Sequence, residues 1–130
     1  MGKYTDSSLL IFKQFSSQQW KSYNVTAVPS DFTPPQGTLE YVRLSVLHNE
    51  NGLNVMSTSG IIQIDIFTEN GKGPARAFEI ADMLDNFFSY VAVQGRLQTG
   101  ISSLAPLGRD AANPALQRHL YSTLFNYFGN

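Results

Sequence analysis

The chain has 130 residues, of which 42% are hydrophobic and 15% are charged, and its formal net charge is -1. This length and hydrophobic content predict a single domain, residues 1–130, with its own core. The near-neutral charge argues against a protein that holds nucleic acid electrostatically, because neutralising phosphates takes a clustered excess of Lys and Arg. The chain has no cysteine, which excludes disulfides, thiolate metal sites and cysteine nucleophiles.

The apolar runs of the sequence are a few residues long, whereas a helix needs about 20 apolar residues to span a bilayer. The first residues also lack the apolar stretch of a signal peptide. We therefore expect a soluble protein that is not secreted and has no membrane partner.

The first predicted element is a helix over residues 6–19. Asp6 is a good N-cap residue, and Ile11, Phe12 and Phe15 form a short apolar stripe. The four serines of this segment lower its helix propensity, so we expect the helix to depend on docking through its apolar side chains, Leu9 among them. Residues 25–35 contain three prolines, which favour an extended connection with a possible edge strand over residues 25–28.

Two strands are predicted next. Residues 39–47 alternate between apolar and polar side chains, which is typical of a half-buried strand. Asn51 and Gly52 suit a hairpin turn, because both tolerate positive φ. The chain should return through residues 53–59 into an antiparallel strand over residues 60–68, the most regular strand pattern in the sequence.

A turn and a second helix follow. Residues 69–73 contain two glycines, and Pro74 suits the first position of a helix. The apolar residues then recur at spacings of three and four, which predicts an amphipathic helix lying on the sheet. They are Ala77, Ile80, Ala81, Leu84, Phe87 and Phe88.

Beyond this helix we predict short extended pieces over residues 90–93 and 95–101, broken at Gly95. A long loop over residues 100–114 follows, because this stretch has two glycines and two prolines. The last strand is predicted over residues 118–128. The fold class is therefore α+β, an antiparallel (mixed) sheet with two helices packed on it, in the order α-β-β-α-β-β.

The motifs of catalysis and metal binding are incomplete. Ser102 and Ser103 lack the glycine pattern of a nucleophile elbow, and we interpret them as polar groups of the loop. His48 and His119 have no ligand partner at helical or hairpin spacing and are interpreted as surface histidines. The glycines around Lys72 do not complete a phosphate-binding loop. We predict no catalytic, cofactor-binding or metal-binding residue and no cofactor.

The carboxylates of the second helix are also interpreted as ordinary. Glu79, Asp82 and Asp85 fall on its predicted solvent face, where acidic residues are routine. Arg76 is less expected, because the positive end of the helix dipole disfavours a cation in the first turn. Two explanations stay open: an exposed cation costs little there, or Arg76 pairs with an acidic group of another subunit.

Three segments carry a resemblance to a known family: the proline-punctuated VPSDFTPPQGTLEYVRLSVL, then SGIIQIDIFTENGKGPARAFEIADMLDNFF, then SSLAPLGRDAANPALQRH before the last strand. With the N-terminal helix, they cover most of the chain. With these segments in this order, the sequence resembles the tail terminator proteins of long-tailed bacteriophages, including the lambda-like tail terminators.

The resemblance implies a small structural subunit and no enzyme. Such subunits assemble as a homohexameric ring on the head-proximal end of the tail tube, stop tube polymerisation and present a surface for joining the filled head. The implied partners are other copies of the chain, the tail tube protein and a head-completion protein, with DNA passing through the lumen without specific binding. The implied location is the virion tail, assembled in the host cytoplasm.

A closed ring requires two different patches that meet between neighbouring subunits. We place the candidate subunit or partner interface at Lys72 and Arg76, beside the second helix, and at Arg109 and Asp110 in the predicted loop. Two other classes remain open at this point: another head-tail completion or minor tail protein of the same fold, and a small ligand-binding domain or enzyme.

Overall fold

A computed structural model of the chain describes residues 2–29, 32, 34, 37–52 and 54–129. The helices are α1 (Lys3–Lys13), α2 (Gln18–Tyr23) and α3 (Ala75–Phe88), and a short 3₁₀ helix (Gln14–Ser16) joins the first two. The strands are β1 (Thr26–Pro29), β2 (Tyr41–Asn51), β3 (Thr58–Glu69), β4 (Ala92–Val93), β5 (Leu97–Thr99), β6 (Ser103–Arg109) and β7 (Leu116–Tyr127).

The α+β class is confirmed, but the predicted order of two helices and four strands is wrong. The described residues form three helices and a seven-stranded sheet in the order β1-β2-β3-β7-β5-β4, with β6 also paired to β7. Because β3 pairs with one side of β7 along its whole length, β5 and β6 share the other side. Strand β1 runs parallel to β2 and all other pairs are antiparallel, so the sheet is mixed.

The core lies between the helices and one face of the sheet, which we call the helix face. The stripe of α3 predicted from its spacing is buried as expected, and it packs over Ile62, Ile64 and Ile66 of β3, which are fully buried. Trp20 of α2 joins the same core and donates its indole N–H to the Val25 carbonyl, 3.2 Å away. The alternation of β3 and the period of α3 therefore specify the two sides of the core.

The first helix differs from its prediction. It begins at Lys3 with Gly2 as N-cap, so Asp6 is not the cap, and α-helix continues only to Lys13. The chain then bends, and the Ser17 side chain accepts the Trp20 backbone N–H to start α2. A serine side chain that hydrogen-bonds to the backbone offers it an alternative to continuing the helix. This explains why the helix is interrupted between α1 and α2. Leu10 and Ile11 of α1 are buried, whereas Phe12 of the predicted stripe and Leu9, which was also expected to dock, stay exposed.

The largest error concerns residues 100–114, which were predicted to be a loop. Residues Ser103–Arg109 instead form β6, antiparallel to β7, with a bulge between Pro106 and Gly108. Proline is tolerated on an edge strand, and a bulge accepts glycine at positive φ, which Gly108 adopts at 78°. The residues that argued for a loop are thus features of an edge strand.

The turn between β2 and β3 also differs from its prediction. Strand β2 continues to Asn51, so Asn51 and Gly52 do not form the predicted hairpin turn, and β3 starts at Thr58, two residues before the predicted start at Gly60. Residue 53 lies outside the described residues. The turn is organised by Asn54, whose side-chain oxygen accepts the Met56 N–H at 2.9 Å. Asx turns of this kind compete with an Asn-Gly hairpin turn.

The remaining boundaries change little. The possible edge strand predicted over residues 25–28 is present as β1, with the bounds Thr26–Pro29. Residues 30, 31, 33 and 35 of the predicted connection are outside the described part of the chain. The predicted break at Gly95 separates β4 from β5, and Pro74 is the N-cap of α3 rather than its first residue.

Candidate assembly surfaces

The two segments predicted to form an interface meet at one end of the sheet, where β3 ends and β7 begins. The Asn70 N–H donates to the Ala115 carbonyl at 2.8 Å, and the Gln117 side chain donates to the Gly73 carbonyl at 2.6 Å. These bonds join the turn before α3 to the loop after β6. We call residues 69–76 and 109–117 together the turn–loop surface.

Lys72 and Arg76 are both paired within their own chain. Lys72 lies 2.8 Å from Glu69, whose hydrogen bond raises the Lys72 pKa. Arg76 contacts both oxygens of Glu40, at 2.6 and 3.1 Å, and lies 3.0 Å from Glu79. The hydrogen bond that Arg76 donates to Glu40 is the main cause that raises the Arg76 pKa above its ordinary value. Thus Arg76 finds its acidic partners in its own subunit, Glu40 from the segment before β2 among them.

We predict that Arg76→Ala lowers the free energy of unfolding by about 0.5–1 kcal/mol, because a bidentate but partly exposed ion pair contributes little. The loss should shrink in high salt, which screens exposed charges. Urea denaturation at low and high salt measures both effects. Lys72→Ala is the matched control and should leave the urea midpoint unchanged, since Lys72 itself is fully exposed to solvent. A salt-independent loss in Arg76→Ala would contradict the ion-pair explanation.

Arg109 and Asp110 follow each other at the end of β6. Arg109 pairs with Gln117 along the β6–β7 ladder, and its side chain is exposed. Asp110 is half-buried and its carboxylate accepts the Ala112 N–H at 3.4 Å. Of the four predicted interface residues, Arg109 is the cation that has no ion pair with any described residue. It is therefore the one whose charge a neighbouring subunit could use.

The face of the sheet opposite the helices, which we call the open face, was not predicted as a surface. Its side chains form rows across the strands. One row is apolar and runs from Leu47 through Ile61 to Leu124. The next row is polar and consists of Ser45, Gln63, Ser122 and Ser103. Leu47 and Leu124 are exposed. The alternation of side chains along each strand places these residues on the open face. Their arrangement in rows depends on the register in which the strands pair.

The end of the open face near the turn–loop surface is closed by its own side chains. Tyr41 and Phe67 stack with ring centroids 4.5 Å apart, and the Arg43 guanidinium lies 5.1 Å from the Phe67 ring. Asp65 is 8% exposed and pairs with Arg118 at 2.8 Å. Burial raises the Tyr41 pKa. This half of the open face is a small second core, which leaves the rows near Leu124 accessible.

A partly buried hydrogen-bond network joins Asp85, Ser102 and Tyr121. One oxygen of the Asp85 carboxylate accepts both the Tyr121 hydroxyl at 2.7 Å and the Ser102 hydroxyl at 2.6 Å. Burial, followed by the hydrogen bond to Asp85, raises the Tyr121 pKa. Asp85 is therefore half-buried and hydrogen-bonded, so its prediction as a solvent-facing carboxylate was wrong. Ser102 does lie outside the strands, as predicted, directly before β6. These contacts fasten α3 to β7 and to the segment before β6.

The two histidines are less exposed than predicted. His119 is 3% exposed, faces Phe78 of α3, and has a buried Nδ1 without a hydrogen-bond partner among the described residues. His48 is half-buried, and a 3.0 Å hydrogen bond joins its Nε2 to the Ser7 hydroxyl. Burial lowers the pKa of both. The interpretation of His119 as a surface residue was wrong.

These histidines should make the protein less stable in mild acid. A histidine whose pKa is lowered by folding binds its proton more strongly in the unfolded chain, so stability falls as pH drops below the unfolded pKa of about 6.5. Each histidine contributes at most about 1.4 kcal/mol per pH unit. Urea unfolding at about pH 7.5 and 5.5 measures how much the free energy of unfolding falls between these two pH values. The decrease should be smaller in His119→Gln than in the wild type. Equal losses would show that His119 does not contribute.

The described residues contain no group of three or more His, Asp or Glu side chains placed to hold a metal ion. Within the same residues, no helix is long and apolar enough to cross a membrane.

A family model described as "Phage tail terminator protein" matches residues 10–99, well over half of the chain. The chain belongs to the phage tail terminator family. This confirms the resemblance and identifies the protein as a structural component of a phage tail. The match runs from within α1 to β5, so it includes Lys72 and Arg76 and ends before Arg109.

One solved structure, which carries no functional name, has a similar fold. It superposes with a TM-score of 0.62, and the match covers 95% of this chain and 96% of that chain. The sequence identity is 17%, so the similarity concerns the fold alone. A search of curated proteins found no match.

Proposed function

We propose that this tail terminator assembles as a closed homohexameric ring on the head-proximal end of the tail tube, where it ends tube polymerisation and forms the surface for head-tail joining. The family match over residues 10–99 is the observation that carries the proposal. The partners are then other copies of the chain, the tail tube protein and a head-completion protein, and assembly takes place in the host cytoplasm.

The charge of the chain supports a role as a conduit. A ring on the tail end must let DNA pass, and a strongly basic lumen would hold DNA by releasing its counterions. The net charge is -1, and Lys72, Arg76 and Arg118 are each neutralised by a carboxylate of the same chain. We infer that DNA passes through the lumen without specific binding.

The turn–loop surface is our candidate for one side of the subunit interface. A ring needs a heterologous contact, in which one patch meets a different patch on the next copy. Hydrogen bonds from the Asn70 backbone and the Gln117 side chain join the two chain segments of this surface. They hold the surface in one conformation that a partner can bind. Arg109, which has no ion pair with any described residue, lies at the rim of this surface.

We predict that Arg109→Glu weakens ring assembly about tenfold, which corresponds to about 1.4 kcal/mol for one reversed charge at a rim. The monomer should keep its thermal midpoint, because Arg109 is exposed and has no ion pair to lose within the described chain. Light scattering over a concentration series measures assembly. Lys3→Glu makes the same charge change in α1 and serves as control. Unchanged assembly in Arg109→Glu would remove this residue from the interface.

The ring itself can be tested by the mass of the purified protein in solution together with negative-stain images. Rings with a mass of six subunits support the proposal. A stable dimer contradicts it, because an isologous dimer uses the surfaces that a ring must keep open.

A further inference from the structure

The sheet has an open edge on each side. Among the described residues, β1 pairs only with β2, and β6 pairs only with β7. The outer side of each strand therefore presents backbone N–H and C=O groups without a strand partner, and such edges are templates for pairing with another chain. Both are accessible: Thr26 of β1 is exposed, as are six of the seven residues of β6.

The two edges match in length and in chemistry. Strand β1 is TAVP, and the regular part of β6, before its bulge at Pro106 and Gly108, is SLAP. Neither tetrapeptide has a charged side chain, although natural proteins commonly protect free edges with charges, lysine above all. Each has its proline at the last position, so three residues of each strand keep their backbone donors.

The directions of the strands also match. Strand β1 is parallel to β2, and β6 runs opposite to β1, because three antiparallel pairings separate β2 from β6. Rotation about a ring axis leaves the sense of a strand along that axis unchanged. When β6 of one subunit is placed beside β1 of the next, the two strands are therefore antiparallel. The contact uses two different patches, as a closed ring requires.

We propose that β6 of each subunit adds antiparallel to β1 of the next, so that one sheet continues around the ring. This rests on the proposed ring. A groove of about 500 Å³ beside β1 supports it, because its lining includes the aromatic side chains Phe12, Phe15 and Trp20. Pro106 and Leu107, in the second half of β6, are exposed apolar residues. Pro106 pairs with His119 on the helix face, the side on which the groove lies.

Cysteine cross-linking tests the pairing, and the absence of native cysteine makes the result specific. Thr26 and Ala105 are exposed, and both lie on the open face, since they pair with Tyr41 and Leu120. In the double variant Thr26→Cys/Ala105→Cys, a short bismaleimide tolerates an offset of two residues, about 7 Å along a strand. We expect a ladder of covalent oligomers up to the closed ring on denaturing gels. Each single variant should stay monomeric on the gel.

Two controls separate the outcomes. Thr26→Cys/Asp82→Cys places the second cysteine on the exposed side of α3 and should give no ladder. The reagent is applied to concentrated protein, with and without purified tail tubes, and rings are imaged in the same samples. Rings without a ladder in Thr26→Cys/Ala105→Cys overturn the edge pairing and leave the proposed function standing. Dimers in a single variant, or no covalent oligomer in any sample, overturn the edge pairing as well.

Discussion

Gly60→Ala is expected to lower the free energy of unfolding by at least about 3 kcal/mol, at the upper end of the cost of overpacking a core. Gly60 lies in β3 opposite the bulge between Leu47 and Glu50 of β2. A Cβ atom at this position would come within 1.7 Å of the Leu47 carbonyl oxygen and 3.1 Å of the His48 Cα. Backbone atoms cannot rotate away as a side chain does, so the β2–β3 ladder itself must shift.

Gly100→Ala is the matched control. Its nearest neighbours lie 3.8 Å or more from the added Cβ, which is ordinary contact, so this variant should unfold within about 0.5 kcal/mol of the wild type. Chemical denaturation of both variants measures the difference. A loss below about 1 kcal/mol in Gly60→Ala would mean that the close approach of β2 to β3 is described incorrectly.

Asp85→Ala should lower the free energy of unfolding by about 2–4 kcal/mol, the second large effect that we expect. The substitution removes two hydrogen bonds and leaves the Tyr121 hydroxyl without its acceptor. Tyr121 is 1% exposed, so water does not replace the lost acceptor without cost. Asp82→Ala changes an exposed carboxylate one turn earlier on α3 and should stay within about 0.5 kcal/mol of the wild type.

A double-mutant cycle tests the same network. Tyr121→Phe should cost about 1 kcal/mol, since it deletes the donor and leaves no buried group unpaired on β7. In Asp85→Ala/Tyr121→Phe the orphaned hydroxyl is absent, so the combined loss should be smaller than the sum of the two single losses. Strict additivity would show that the two side chains do not depend on each other.

The core was predictable because its residues obey simple periods. Ile62, Ile64 and Ile66 alternate along β3, and the apolar stripe of α3 follows the spacing of a helix. Strand β6 was not predictable in the same way. Pro106 and Gly108 argue for a loop when they are considered locally, and their tolerance depends on the strand lying at an edge, which is a property of the assembled sheet.

The candidate surfaces show the same limit. The turn before α3 was placed correctly, but the partner of Arg76 is Glu40, which is 36 residues away in sequence. Asp82 and Asp85 lie one turn apart on α3, yet the second points towards Tyr121. For His119 a signal was present: it alternates in step with Tyr121 and Phe125 along β7, which indicates the buried face. The periodicity of the sequence does not predict contacts between distant segments of the chain.

Termination of tube growth can be measured by adding the purified protein to tail tubes that are growing from purified tube protein. Tube lengths are then determined by negative-stain electron microscopy. We expect the tubes to stop growing after the protein is added and each tube to carry a ring at one end. Tubes that keep growing at the rate of the untreated sample, with no density at either end, would contradict it.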